Sequence, residues 1–376
     1  MKRIGIYTLI DGTNYGQRLQ NFALQTVLEN ISSDKIQVDT LGYYKPLDRT
    51  YQDTLSLRCR ASHLFFELFK LHLSPMSLWN RFWQRTEFYR FNHKYIHLSP
   101  WLFKVGEEWE KPDNRWSDYY DGFIAGSDQI WNPEIPTVTP LAFLHFAKKG
   151  QRYSYAASIC CSKERLENFD WAISGLCNMD EISVREYSSV ETVRSIVGRS
   201  PTVDLDPALL LSSEQWNQLL KLRKRKSSKA YVFLYQIDVV SNPELEKWTE
   251  NFAKKNGFKV ICVREKAMGP KRWLELLKNA NVVVSDSYHA VVFSLLFGIS
   301  FVISSTRGAM NTRMETLLQH AGLNDRNYIN IKEEEIISGI DFREVWNRLE
   351  ELRGISLKRL SGIVQKIETG NEMCLN

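Results

Sequence analysis

Long apolar runs are missing from this chain. Nowhere among its 376 residues do about 18 or more apolar residues follow one another, the length a helix needs to cross a bilayer. The amino terminus, MKRIGIYTLI, breaks at once into the polar DGTNYGQ without the apolar core or small-residue cleavage site of a secretory signal. The chain is therefore expected to stay in the cytoplasm. Cysteine is sparse, with six residues at 59, 160, 161, 177, 262 and 374, and these form no CxxC pair and no zinc spacing. Free thiols and no metal site are expected. Several catalytic signatures are absent as well: DGTNYG offers only Gly12 and Gly16 where GxGxxG would be needed, and no GxxxxGK[ST], HExxH or GxSxG occurs. Dinucleotide enzymes, P-loop enzymes and serine hydrolases all lose support. There is no internal repeat and no extended low-complexity tract.

What is present is a hydrophobic fraction of 43% with charge of both signs, as an ordered globular protein requires. The length allows two cores of about 150 to 200 residues each. Strands are predicted near KRIGIYTL, IQVDTLGY, DGFIAG, RYSYAAS, EISVRE and PTVDLD, then at AYVFLYQI, KVICVRE, NVVVSDS, SFVISST and YINI, with helical stretches between most of them. Short apolar strands alternating with helices predict an α/β fold with parallel sheets covered on both faces. The basic stretch KLRKRKSSK at 221–229 reads as the linker, giving an N-terminal α/β domain over 1–220 and a C-terminal one over 221–341. A helical segment over 342–376 is expected to pack back on the first domain.

The net charge of +5 is unevenly spread. Between Arg58 and Lys104 eight Lys or Arg face two Glu, and twelve aromatics accompany them, with Leu64, Phe65, Leu68, Phe69 and His72 at helical spacing. A basic, aromatic helical insertion near 51–110 suits a membrane surface or a long anionic ligand. An insertion with core aromatics and a solvated basic face fits the same pattern. No nucleic-acid-binding motif accompanies the charge, so nucleic acid is not an expected partner.

In open parallel sheets ligands bind beyond the carboxyl ends of the strands, where helix N-termini also point. Six predicted strands end in polar or charged groups: IDGTNYGQRLQN after the first, then SDQIWNP, Arg185 with Glu186, Asp206 with Pro207, SDSYH, and STRGAMNTR. Asp286 and Ser287 suit helix N-caps, but a cap does not account for His289 in the first turn. TNYGQRLQN is either a polar helix start or, through Arg18, Gln20 and Asn21, a grip on sugar hydroxyls. GSDQIWN unites a turn, a carboxylate, an amide and an indole, a combination suited to carbohydrate, although Trp131 also suits a core.

The succession TNYGQRLQNFALQ, FIAGSDQIWNP, RYSYAAS, ISVREYSSVE, LDPALLL, VVVSDSYHAVVFSLLFG and MNTRMETLL resembles the polysaccharide pyruvyl transferase family, in the family's order over roughly residues 4 to 320. The basic stretch from about 51 to 110 matches no family motif. The resemblance implies two Rossmann-like domains facing across a cleft, as in the B-type glycosyltransferase fold. It further implies transfer of a pyruvyl group from phosphoenolpyruvate, with no cofactor, onto two hydroxyls of a sugar, galactose being the expected one, to give a cyclic ketal in capsular or exopolysaccharide biosynthesis. The donor would be held by Arg185, Ser287, His289, Arg307, Asn311 and Arg313. Asn14, Tyr15, Arg18, Gln20, Asn21, Ser127, Asp128, Gln129 and Trp131 are the acceptor candidates. His289 is the candidate acid, with Arg185 beside it in donor binding, and Asp128, on chemical grounds alone, is the candidate base. A lipid-linked acceptor and peripheral contact with the inner face of the cytoplasmic membrane are the further expectations. A nucleotide-sugar glycosyltransferase of the same fold, and a glycan-binding protein without turnover, remain alternatives.

Overall fold

The structure, a computed structural model, describes residues 1–10, 12–32, 35–44, 75–104, 114–224, 229–237, 242–264, 266–304, 311–323 and 325–370. Its first sheet is built on KRIGIY, which forms strand β1 (Lys2–Tyr7), with Ile4 and Ile6 wholly buried on one face and Tyr7 buried on the other. Such a strand needs cover on both faces, the usual condition of a parallel sheet. Parallel neighbours β2 (Ile36–Tyr44), β3 (Leu98–Lys104), β4 (Gly122–Ala125) and β5 (Arg152–Ser154) complete the order β3-β2-β1-β4-β5. Parallel bridges Tyr153 to Glu181 and Ala157 to Val184 carry the sheet on to β6 (Ser183–Val184), which pairs with β7 (Thr202–Val203). The segments RYSYAAS, EISVRE and PTVDLD, predicted as strands, lie side by side, although only two or three residues of each are regular strand.

β3 was hidden in the basic aromatic stretch, which reads in sequence as a helical insertion. The helix Pro75–Tyr95 is there, but LSPWLFK follows it as an edge strand, with Phe103 buried and Leu102 about half exposed. Pro100 is tolerated because an edge strand has one unpaired side. Phe103 stacks on Trp116 at 3.8 Å, so this strand closes the aromatic core of the sheet. The proposed helical run at 64–72 lies outside the described residues. YINI is a turn in which only the preceding Asn327 bridges to Ile303.

The second sheet comprises β8 (Tyr231–Tyr235), β9 (Lys259–Cys262), β10 (Val282–Ser285) and β11 (Ser300–Ile303), all parallel in the order β11-β10-β8-β9. Val232, Leu234, Val282, Val284 and Val302 form one side of its core with Leu245 and Phe252. The chain divides into two compact units, one of residues 1–72, 88–210 and 352–376, the other of 73–87 and 211–351. The boundary at 210/211 falls before the basic stretch 221–229 that reads as the linker. The helix Ser213–Leu220 belongs to the second unit because Trp216 packs edge-to-face on Phe293 at 5.1 Å. The last helix, Phe342–Thr369, is shared. In the second unit Trp346 Nε1 donates to Leu295 O at 2.9 Å. In the first, Leu205 N donates to Ser356 Oγ at 3.1 Å, and Arg353 Nε to Leu209 O at 2.7 Å.

Tight packing of the first unit is tested at Gly175, on the helix Asp170–Cys177. A Cβ there would lie 2.4 Å from Phe143 Cβ, an atom too near the backbone to swing aside. Gly175→Ala is expected to lower the unfolding free energy by about 1–3 kcal/mol in chemical denaturation, although alanine is the better helix former.

Candidate active site

The carboxyl edge of the first sheet gathers buried polar groups from four consecutive strand ends. β4 runs on through Gly126 to Ser127 and Asp128, β5 to Ser158, β6 to Arg185 and Glu186, and β7 to Asp204 and Asp206, all of them buried. Arg185 is the centre. Its Nη1 donates to Asp206 Oδ2 at 2.8 Å and lies 3.4 Å from Ser127 Oγ, while Nη2 stands 3.6 Å from Asp128 Oδ1. Ser127 Oγ donates to the same Asp206 oxygen at 3.2 Å, and the other Asp206 oxygen accepts from Ala208 N at 3.0 Å. A charge buried this deeply requires such partners, since its desolvation otherwise costs several kcal/mol.

Asp128 adopts a backbone φ of +74°, a conformation that costs a side-chain-bearing residue about 1–2 kcal/mol. Ala156 (φ +48°) and Cys160 (φ +51°) flank the same edge. Of these three left-handed residues in neighbouring loops, Asp128 is the one with a carboxyl side chain. Next to it Glu186 Oε1 accepts from Ser158 Oγ (3.0 Å), Ile159 N (3.0 Å) and Ser189 Oγ (2.6 Å), which fastens the end of β5 to the helix Ser188–Val197. Burial pushes the Cys161 thiol up to about 12, so it stays protonated. Burial, then Asp204, likewise raises Tyr155, whose hydroxyl donates to Leu205 O at 3.2 Å.

Several acceptor candidates have structural duties instead. Trp131 is wholly buried, stacked on Phe143 at 5.5 Å, with its Nε1 donating to Ala142 O at 3.0 Å. It offers no face to a sugar and is a core residue, contrary to the expectation from GSDQIWN. In the helix Tyr15–Ile31, Asn14 caps the first turn by accepting from Gln17 N at 3.2 Å, and Tyr15 is buried against Phe88. Arg18, Gln20 and Asn21 are buried too: Arg18 Nη2 donates to Ile10 O, and Asn21 Oδ1 accepts from Thr40 Oγ1 at 3.1 Å. Gln20 Nε2 donates to Thr8 Oγ1 (2.8 Å), which donates to Ser127 O (3.1 Å). This relay braces the loop that carries Asp128. Gln129 is half-buried one residue beyond it.

In the second unit β10 ends at Ser285, whose Oγ donates to Tyr235 O at 2.5 Å and accepts from Ser287 N at 3.0 Å. Ser287 caps the helix Tyr288–Phe297 by accepting from Ala290 N at 3.3 Å, and Asp286 Oδ1 accepts from Ile237 N at 2.8 Å. His289 is buried in the first turn, edge-to-face on Tyr288 at 5.3 Å. The Arg313 guanidinium lies 5.7 Å from the centre of the same ring. Ser287, His289 and Arg313 therefore gather around one helix start, where amide dipoles favour an anion. Arg307 and the side chain of Asn311 lie outside the described residues. No group of three or more His, Cys, Asp or Glu among the described residues could hold a metal ion.

A family model for polysaccharide pyruvyl transferase matches residues 14–307. The chain belongs to that family. Both clusters fall inside the matched stretch, apart from Arg313 beyond its end. A search of curated proteins gives no match. Among solved structures, a provisionally assigned UDP-N-acetylglucosamine 2-epimerase from Listeria monocytogenes is 10% identical, with 100% of this chain and 98% of that one covered at a TM-score of 0.53. The UDP-N-acetylglucosamine 2-epimerase from Rickettsia bellii is 11% identical, with 100% and 99% covered at 0.49. At such identities the similarity to the Listeria protein is one of fold, and it agrees with two Rossmann-like α/β units in this pyruvyl transferase family member.

Two substitutions separate scaffold from chemistry. Asp128→Gly and Asp128→Ala both remove the carboxylate, but only glycine accepts the left-handed backbone freely, so the glycine variant should be the more stable by about 1 kcal/mol in urea unfolding. Trp131→Ala should lose about 3–5 kcal/mol of stability. Trp131→Phe should lose less and leave the acceptor KM unchanged in a transfer assay.

Proposed function

We propose that this protein transfers the pyruvyl group of phosphoenolpyruvate to two hydroxyls of one sugar, galactose in the first instance, and so builds a cyclic ketal into a capsular or exopolysaccharide. The observation carrying this reading is the Asp128 carboxylate, held in a strained conformation beside Arg185 at the carboxyl edge of the first sheet, in a chain whose family performs pyruvyl transfer. The donor is an anion at both ends, and the acceptor must lose protons as it attacks. The two described clusters supply complementary chemistry for those needs.

In the proposed reaction the enol methylene carbon of the donor takes a proton and becomes a methyl group. The adjacent carbon then has oxocarbenium character. One sugar hydroxyl bonds to it, the bond to the phosphate oxygen breaks, and phosphate leaves. The second hydroxyl closes the ketal ring. Of the two hydroxyl protons released, one balances the proton gained by carbon and the other leaves with phosphate. His289 is the proposed acid and phosphate ligand at a helix start, supported by Ser287 and Arg313, with Arg307 and Asn311 completing the set. Asp128 is the proposed base, with Ser127 and Gln129 as acceptor contacts. Arg185 contributes through Nη2, the arm farther from Asp206. A cytoplasmic site of action follows from the donor, a cytoplasmic metabolite.

Acceptor-dependent release of phosphate from phosphoenolpyruvate tests the reading. Consumption of a nucleotide sugar would replace it with glycosyl transfer, and glycan affinity without either turnover would replace it with binding alone. His289→Asn should lower turnover by about 10²-fold with a smaller change in donor affinity, because proton delivery matters only in the transition state. Asp128→Asn should slow transfer by about 10²-fold with donor affinity intact by titration calorimetry. Near-normal turnover in either variant removes that residue from the mechanism.

A further inference from the structure

We propose that the helix Pro75–Tyr95 docks this protein on an anionic lipid surface. Trp79 is 57% exposed and Trp83 37%, whereas Trp116, Trp131, Trp216 and Trp273 are wholly or almost wholly buried. The two exposed indoles are one helical turn apart, with ring centroids at 5.6 Å, and Phe82 joins them at 6.1 and 6.4 Å. Two exposed indoles on a half-buried Phe82, flanked by cations, suit the headgroup level of a bilayer, where amphipathic indoles concentrate. Their edge-to-face arrangement, with 76° between the two indole planes, is a poor platform for stacking a sugar or a base.

The charge on the helix supports the same partner. Along PMSLWNRFWQRTEFYRFNHKY there are four cations, Arg81, Arg85, Arg90 and Lys94, against the single acid Glu87. At about 100° per residue, Trp79, Trp83, Arg90 and Lys94 fall within about 60° of one another on the helix. All four are exposed. Other residues of the helix face the protein: Phe88 packs on Tyr15 at 5.1 Å, Phe91 and Tyr95 on Phe22 at 6.2 and 5.7 Å, and Glu87 lies against Gly269. A stripe with aromatics toward one end and cations toward the other inserts rings among acyl chains while long cationic stems reach phosphates. No helix among the described residues is long and apolar enough to cross a membrane, so the contact is peripheral.

The test needs neither donor nor acceptor, so its failure and that of the proposed reaction are distinguishable. The full-length protein should sediment with phosphatidylglycerol–phosphatidylcholine vesicles, not with pure phosphatidylcholine, and the bound fraction should fall as salt rises. Trp79→Ser/Trp83→Ser and Arg90→Glu/Lys94→Glu should each lower it by about fivefold or more while circular dichroism and the melting temperature stay unchanged. Transfer to a soluble acceptor should persist in both. Equal sedimentation with both vesicle types, or undiminished binding by both folded variants, overturns the proposal. So does a wild-type dimer that ignores vesicles and becomes monomeric in Trp79→Ser/Trp83→Ser, which would assign the patch to self-association.

Discussion

Arg185 carries a guanidinium that is 1% exposed, and a charge in such a place exists only because carboxylates meet it. Asp206 does so at 2.8 Å and Asp128 at 3.6 Å, from different strand ends. The ion pair therefore ties β4, β6 and β7 together at the edge where an α/β sheet presents its ligand site. Ser127 joins the same Asp206 oxygen, and through its carbonyl and Thr8 the connection reaches Gln20 in the first helix. The hydrogen bonds that stabilise this edge also fix the direction of Asp128, so scaffold and candidate chemistry are one network.

The second unit reaches a comparable end by a different route. β10 is four buried residues, and its last one, Ser285, turns the chain by bonding to Tyr235 O and Ser287 N. That turn places Ser287 as the cap of a largely apolar helix that carries His289 in its first turn. Val291 to Leu296 are buried behind it, so the body of the helix anchors its first turn. Tyr288 presents its ring to both His289 and Arg313, which gives two cationic or proton-carrying groups a common apolar rest.

Exposure sorts the chain's aromatics in a way that composition does not. Trp101, Phe103, Trp116 and Phe146 form a ring-on-ring core under the edge strand β3, although two of the four come from the basic stretch. Trp79 and Trp83, further upstream on the same stretch, are left outside it. The same local composition thus yields core at one end and surface at the other, decided by which strand is available to pack against.

The sequence by itself determined the α/β class with parallel sheets and the polar groups at six strand ends, because short apolar runs such as VVV that alternate with helices call for cover on both faces. It also marked Asp128, Arg185, Ser287 and His289, whose residue types stand out after such runs. Tertiary structure decided what the polar groups do. Gln20, Asn21 and Trp131 look like sugar ligands in one dimension, but burial on all sides turns them into braces, since a buried amide or indole N–H must be answered within the protein. Asp206 drew no separate notice beside Pro207, and only the approach of β6 to β7 makes it the partner of Arg185. Pairing between groups 21 residues apart is a property of the folded sheet, which no local pattern encodes.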